Sequence, residues 1–226
     1  MKNWVKVFWL VFFIGFSSIS YGGTKSYALK NFKGIDVSQG LTVTVRMDSL
    51  EKVVVESDND QFDDIELKIS KGILVVRKKW FGKHSSNPRI FVSARYIEKL
   101  IASGGAAIKV QNEINSDYLK CDASSGADIS VIARCKFIES SLSSGAQINF
   151  VGSAQVANIT TSSGATFSGG ELSCETVKVN ASSGSTIRMK VIHEVLGKAS
   201  SGAAVVVEGK PVNQVQCSSG GEVVLK

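Results

Sequence analysis

From residue 103 onward, large apolar residues fall on alternate positions after a recurring glycine. Three positions beyond it stand Ile108, Ile129, Ile148, Phe167, Ile187, Val205 and Val223. Five beyond it stand Val110, Val131, Phe150, Met189, Val207 and Leu225, with Gly169 as the exception. Two beyond it stand Ala107, Asp128, Gln147, Thr166, Thr186, Ala204 and Glu222, which are small or polar. A period of two with one apolar side is a strand buried on one face. A second alternating run precedes each glycine: Leu119, Cys121 and Ala123, then Ile138, Ser140 and Leu142, then Val177, Val179 and Ala181.

A short corner sequence joins the two runs. Its copies are Ser103-Gly104-Gly105-Ala106, Ser124-Ser125-Gly126-Ala127, Ser143-Ser144-Gly145-Ala146, Ser162-Ser163-Gly164-Ala165, Ser182-Ser183-Gly184-Ser185, Ser200-Ser201-Gly202-Ala203 and Ser218-Ser219-Gly220-Gly221. The third-position glycines lie 21, 19, 19, 20, 18 and 18 residues apart. A repeat of this period marks a solenoid. At about 3.3 Å per residue such a unit wraps once and returns beside its predecessor, and it is too short for a strand–helix–strand crossover. The sequence therefore predicts an all-β chain whose residues 101–226 form a parallel β-helix of about 19-residue coils, stacked about 4.8 Å apart. The serine two before each glycine is expected to satisfy corner backbone groups with its hydroxyl.

Residues 23–100 lack the repeat but read as strands. Phe32, Ile35 and Val37 lead to Gly40, followed by Leu41, Val43 and Val45. Val53 and Val55 follow, then Ile65, Leu67 and Ile69 run up to a Lys71-Gly72 turn, and Ile73 to Val76 returns. Residues 1–22 read as a secretory leader. Lys2 and Lys6 precede the uncharged apolar run Val7 to Phe16, and small residues follow it.

Composition refines this picture. Gly occurs 21 times and Pro twice, so turns rest on Gly and small polar residues. Without Lys2 and Lys6 the formal charge of +6 falls to +4, too dilute for a nucleic-acid footprint. Export would favour pairing of Cys121, Cys135, Cys174 and Cys217. Their repeat positions argue otherwise. Cys135 and Cys174 fall two coils apart, about 10 Å, beyond disulfide reach. Cys121 and Cys217 are expected at opposite ends of the stack as small apolar fillers.

The opening Phe32-x-x-Ile35-x-Val37-x-x-Gly40-x-x-Val43-x-Val45, with the later Ser-Gly-Ala corners, resembles the bacterial head GIN domain family. Its members are described as "putative auto-transporter adhesins". The resemblance covers residues 30 to 226. It departs from the family's Ser-Gly-small-Gly-Asp repeat in that only Gly126-Ala127-Asp128 keeps the aspartate after the corner. It implies an exported, adhesive, β-rich domain of a Gram-negative bacterium without enzymatic activity.

Catalytic constellations are sparse. His193-Glu194 lacks a second zinc-binding histidine, and no Gly-x-Ser-x-Gly elbow or phosphate loop occurs. Asp58-Asn59-Asp60 with Asp63-Asp64 lacks the spacing of a calcium loop and reads as polar loop. The outward column Asp128, Gln147, Thr166, Thr186 offers one acid, where a glycosidase needs two. No cofactor or metal is expected. The candidate ligand contact is the basic aromatic loop Lys79, Trp80, Phe81 and Lys83, suited to sugar faces or an anionic membrane. The sequence thus points to an exported, non-catalytic binding or structural module of the cell envelope, in the periplasm, on the outer membrane or outside the cell. Its expected partners are a glycan, a membrane surface or a protein, including a second copy through the C-terminal coil edge. A carbohydrate-active β-helix enzyme and a ligand-free periplasmic scaffold are the alternatives.

Overall fold

The computed structural model describes residues 23–57, 62–79 and 88–226 of the chain. Their regular structure is all strand, wound into about seven stacked turns. In chain order the strands are β1 (Gly23–Tyr27), β2 (Gly34–Val37), β3 (Thr42–Met47), β4 (Lys52–Ser57), β5 (Ile65–Ser70), β6 (Ile73–Lys78), β7 (Arg89–Ala94), β8 (Lys99–Ser103) and β9 (Ala107–Val110). There follow β10 (Ile114–Ser124), β11 (Asp128–Leu142), β12 (Gln147–Thr161), β13 (Thr166–Ala181), β14 (Thr186–Ser200), β15 (Ala204–Glu208), β16 (Val212–Ser218) and β17 (Glu222–Leu225).

In the repeat half each coil lies parallel on the one before it. Asp128 of β11 faces Gln147 of β12, and Gln147 faces Thr166 of β13, so the register offset equals the sequence spacing. The apolar columns point inward as the periodicity requires. Ile108, Ile129, Ile148, Phe167, Ile187 and Val205 are fully buried. Phe150 and Phe167 pack on each other across adjacent coils, with ring centroids 6.4 Å apart.

The corner is a turn with both central residues left-handed. Ser125 has φ 54° and Gly126 φ 70°, the positive pair of a type I′ turn. Ala127 N–H donates to Ser124 O at 3.2 Å, and Gly126 N–H donates to Ser144 O of the next coil at 3.0 Å. Backbone partners thus close this corner, where the sequence suggested serine hydroxyls. A hydroxyl does so where Ser182 N–H donates to Ser185 Oγ. A second bend needs glycine for a different reason. At Gly152 (φ 128°) a Cβ would lie 1.9 Å from Ala133 O, so no side chain fits.

The N-terminal strands join the same stack out of chain order. Parallel β2 lies between β6 and β8, and parallel β3 lies between β7 and β9. Their connection, Ser38-Gln39-Gly40-Leu41, repeats the left-handed pair at φ 62° and 71°. Gly40 N–H donates to Gly104 O at 3.0 Å, which continues the corner ladder. Beyond β6 and β7 the direction reverses. β5 pairs antiparallel with β6, β4 with β7, and β1 with β4. Parallel stacking therefore stops at this end.

The four cysteines are free; the expected place of Cys121 and the expected role of Cys217 need correction. Cys121 is mid-stack, facing Leu100 and Ser140, because β2, β3 and β6 to β9 add coils below it. Cys217 shares the inward register of Ala199 yet is exposed, because no described strand covers it. It is not a core filler.

Candidate ligand-binding faces

The coils bend inward along one side. There Ser116, Cys135, Ala154 and Cys174 occupy one register on β10, β11, β12 and β13. Ser116, Cys135 and Ala154, small residues in one column, line a hollow in the surface. The result is a lengthwise groove of about 680 Å³, from Tyr96 to Ile192. Asn115, Arg134, Ser153 and Ser173 line one edge, and Asp117, Lys136, Gln155 and Glu175 line the other. Tyr96 and Ser116 join hydroxyls at 3.0 Å at one end. The rim cations are already paired. Arg134 Nε lies 3.6 Å from Glu113, and Lys136 Nζ lies 3.0 Å from Asp117. Such exposed pairs add about 0–1 kcal/mol of stability, but they cancel the local field. Burial pushes the Cys135 thiol up to about 11 and the Cys174 thiol up to about 12. Neither is a nucleophile near neutral pH.

Beside the groove runs an outward ladder of Tyr118, Phe137 and Val156. The two rings stack at 5.8 Å and 6°, which contributes about 0.5–1.5 kcal/mol beyond burial. Tyr118 donates its hydroxyl to Glu139 Oε2 at 2.9 Å, Lys120 Nζ bonds Glu139, and Asp122 Oδ1 lies 3.9 Å from the same ammonium. The Lys120 and Tyr118 hydrogen bonds hold Glu139 below the usual carboxylate range, while burial raises Asp122. Here carboxylates from neighbouring coils do meet, but a lysine sits between them. Asp122 instead lines a separate hydroxyl-rich hollow of about 320 Å³ with Ser124, Ser141, Ser143, Thr160 and Ser162. Glu139 is not part of that lining. Among the described residues no group of His, Cys, Asp and Glu is arranged to hold a metal.

Of the loop proposed from sequence, Trp80, Phe81 and Lys83 lie outside the described residues. Lys79 donates its N–H to Asp64 O at 2.8 Å at the antiparallel end. It lines a small hollow there with Lys25, Tyr27 and Phe62, and Lys25 Nζ sits 5.4 Å and 5.8 Å from the two ring centroids. Lys79 does not line the lengthwise groove. The sequence reading missed the groove and the Tyr118–Phe137 ladder because it followed only inward columns and one outward column. The signal was present: Tyr118 and Phe137, like Lys120 and Glu139, are one coil apart.

Residues 31–211 match the family described as "Putative auto-transporter adhesin, head GIN domain". The chain belongs to this family. Three crystal structures share its fold. A "putative adhesin" from Bacteroides fragilis superposes with a TM-score of 0.84 at 12% identity, covering 91% of this chain and 97% of that one. A "putative adhesin" from Parabacteroides distasonis gives 0.74 at 12% identity over 91% and 97%. A "putative lipid binding protein" from the same species gives 0.67 at 12% identity over 92% and 98%. No curated protein matches the sequence. As a head GIN domain protein, the chain joins a group named for adhesion, and its fold is that of these solved structures.

Proposed function

We propose that this head GIN domain protein is an exported, non-catalytic binding module of the cell envelope, and that its lengthwise groove receives a neutral linear glycan. The groove itself carries the reading. It runs across four coils, so equivalent positions recur about every 4.8 Å, a geometry suited to a polymer of repeating units. Its rim offers Asn, Gln, Ser and Tyr groups, while Arg134 and Lys136 are neutralised by Glu113 and Asp117. A neutral, hydroxyl-rich ligand matches that surface better than an anionic one. The leader-like residues 1–22 support export.

Vesicle binding is the second reading. It rests on the Lys25, Tyr27 and Phe62 cluster beside Lys79, and on the structural neighbour named for lipid binding. The purified protein, tested on neutral and sulfated linear polysaccharides and on anionic and zwitterionic vesicles, separates the two. Neutral polysaccharides should bind, and Ser153→Arg with Ser173→Arg should weaken them about tenfold or more with an unchanged circular dichroism spectrum. Neutral-glycan binding that ignores the arginines would remove the groove from the account. Binding to anionic vesicles alone would replace it with the membrane reading.

A further inference from the structure

The two ends of the stack differ in how their edges are guarded. At the antiparallel end the outer strands carry charge: Lys25 in β1, and Glu66 and Lys68 in β5. Charged side chains are a usual defence against strand addition. At the other end β16 pairs only with β14, and β17 only with β15, so their outer edges are unpaired among the described residues. β16 reads Val-Asn-Gln-Val-Gln-Cys-Ser and contains no Lys, Arg, Asp or Glu. The core also surfaces here. Val215 and Val223 are only partly buried, and Leu225, at the inward register of Val207, is 49% exposed. An open edge over uncovered apolar side chains is a template for another strand.

We propose that the β16–β17 edge pairs with the same edge of a second copy, forming a closed tail-to-tail dimer. The absence of charge selects this occupant. In a two-fold contact each strand meets its own sequence, so a charge on the axis faces its own copy, and like charges on either side of it face each other. β16 avoids that. The opposite end, with its charged antiparallel strands, does not offer a matching edge, so growth into a fibre is blocked. Antiparallel pairing about Val215 sets Gln214 against Gln216 of the second copy. Asn213 Oδ1, which accepts from Val215 N–H at 3.0 Å in the single chain, would give way to the incoming strand. The contact lies away from the lengthwise groove and does not depend on the glycan reading.

Sedimentation velocity of the purified protein across a concentration series tests this. The expected result is a reversible monomer–dimer equilibrium. The double substitution Gln214→Lys with Gln216→Lys opposes lysines in two symmetric pairs and should weaken the dimer about tenfold or more. Gln214→Lys with Gln216→Glu places opposite charges across the axis and should restore it. Both sites are exposed, so the fold is retained. Amide exchange across residues 212–218 should slow as concentration rises. A protein that stays monomeric throughout, or a double-lysine variant that dimerises like the parent, overturns the proposal.

Discussion

In the repeat half, chain order and stacking order coincide; at the antiparallel end they do not. β11, β12, β13 and β14 succeed one another in both senses. By contrast β2 and β3 precede β6 and β7 in the chain, yet lie between them and β8 and β9 in space. Both regions use the same left-handed pair of residues to turn. Ser125-Gly126 links strands on two faces of the stack, while Lys71-Gly72 (φ 50° and 74°) folds β5 back on β6 as a hairpin. One turn type therefore serves two architectures, and the flanking strands decide which is built. Stacked coils interact mainly with nearest neighbours. The end region depends on contacts between distant segments.

Phe167→Ala gives the largest expected effect on this contrast. It removes a fully buried ring that packs against Phe150, and should cost about 3–5 kcal/mol in urea unfolding. Amide exchange should rise most in β12, β13 and β14, with β5 and β6 affected least. Equal acceleration in both regions would merge them into one cooperative unit.

The corner serines give a smaller effect of opposite sign. Ser144 has φ 54°, which costs a side-chain-bearing residue about 1–2 kcal/mol. Ser144→Gly relieves that strain at some cost in unfolded-chain entropy, and should raise stability by up to about 1 kcal/mol in thermal melts. Gly145→Ala has open space around it, and should lower stability by about 1–2 kcal/mol through φ alone. A neutral outcome for both would show that the corner geometry relaxes freely.

The smallest effect belongs to the antiparallel hairpin. Arg77 and Lys68 hold the Glu66 carboxyl down at about 2, with contacts of 2.6 Å each. A carboxyl lowered on folding stabilises above its unfolded value, and that contribution fades as pH falls from about 4.5 towards about 2. Protection of β5 and β6 should decline over that window while the repeat coils hold theirs. Glu66→Gln should flatten this local dependence; a wild-type-like pH profile in the variant would assign it to other carboxyls.

What could be read in advance followed from repetition. Ile129, Ile148 and Phe167 announced both their burial and their neighbours, because a constant spacing places equivalent residues one coil apart. The groove was less visible, since it arises where Ser116, Cys135 and Ala154 are all small at one register of successive coils. That is a coincidence across coils, not a motif within one. At the antiparallel end the alternation of Ile35, Val43, Val53 and Leu67 correctly marked strands, but not their partners.

The sequence by itself determined that the chain is a β-solenoid, where its corners fall and which columns face inward, because backbone period and side-chain burial are local and repeated. Only the tertiary structure decided that β2 and β3 lie inside β6 and β7, that Cys217 is exposed, and that the last coil presents an open edge whose β16 strand carries no charge. Alternation reports which side of a strand is buried. It does not report which distant strand lies alongside, since any apolar face satisfies another, and that choice is made by the closing of the whole stack.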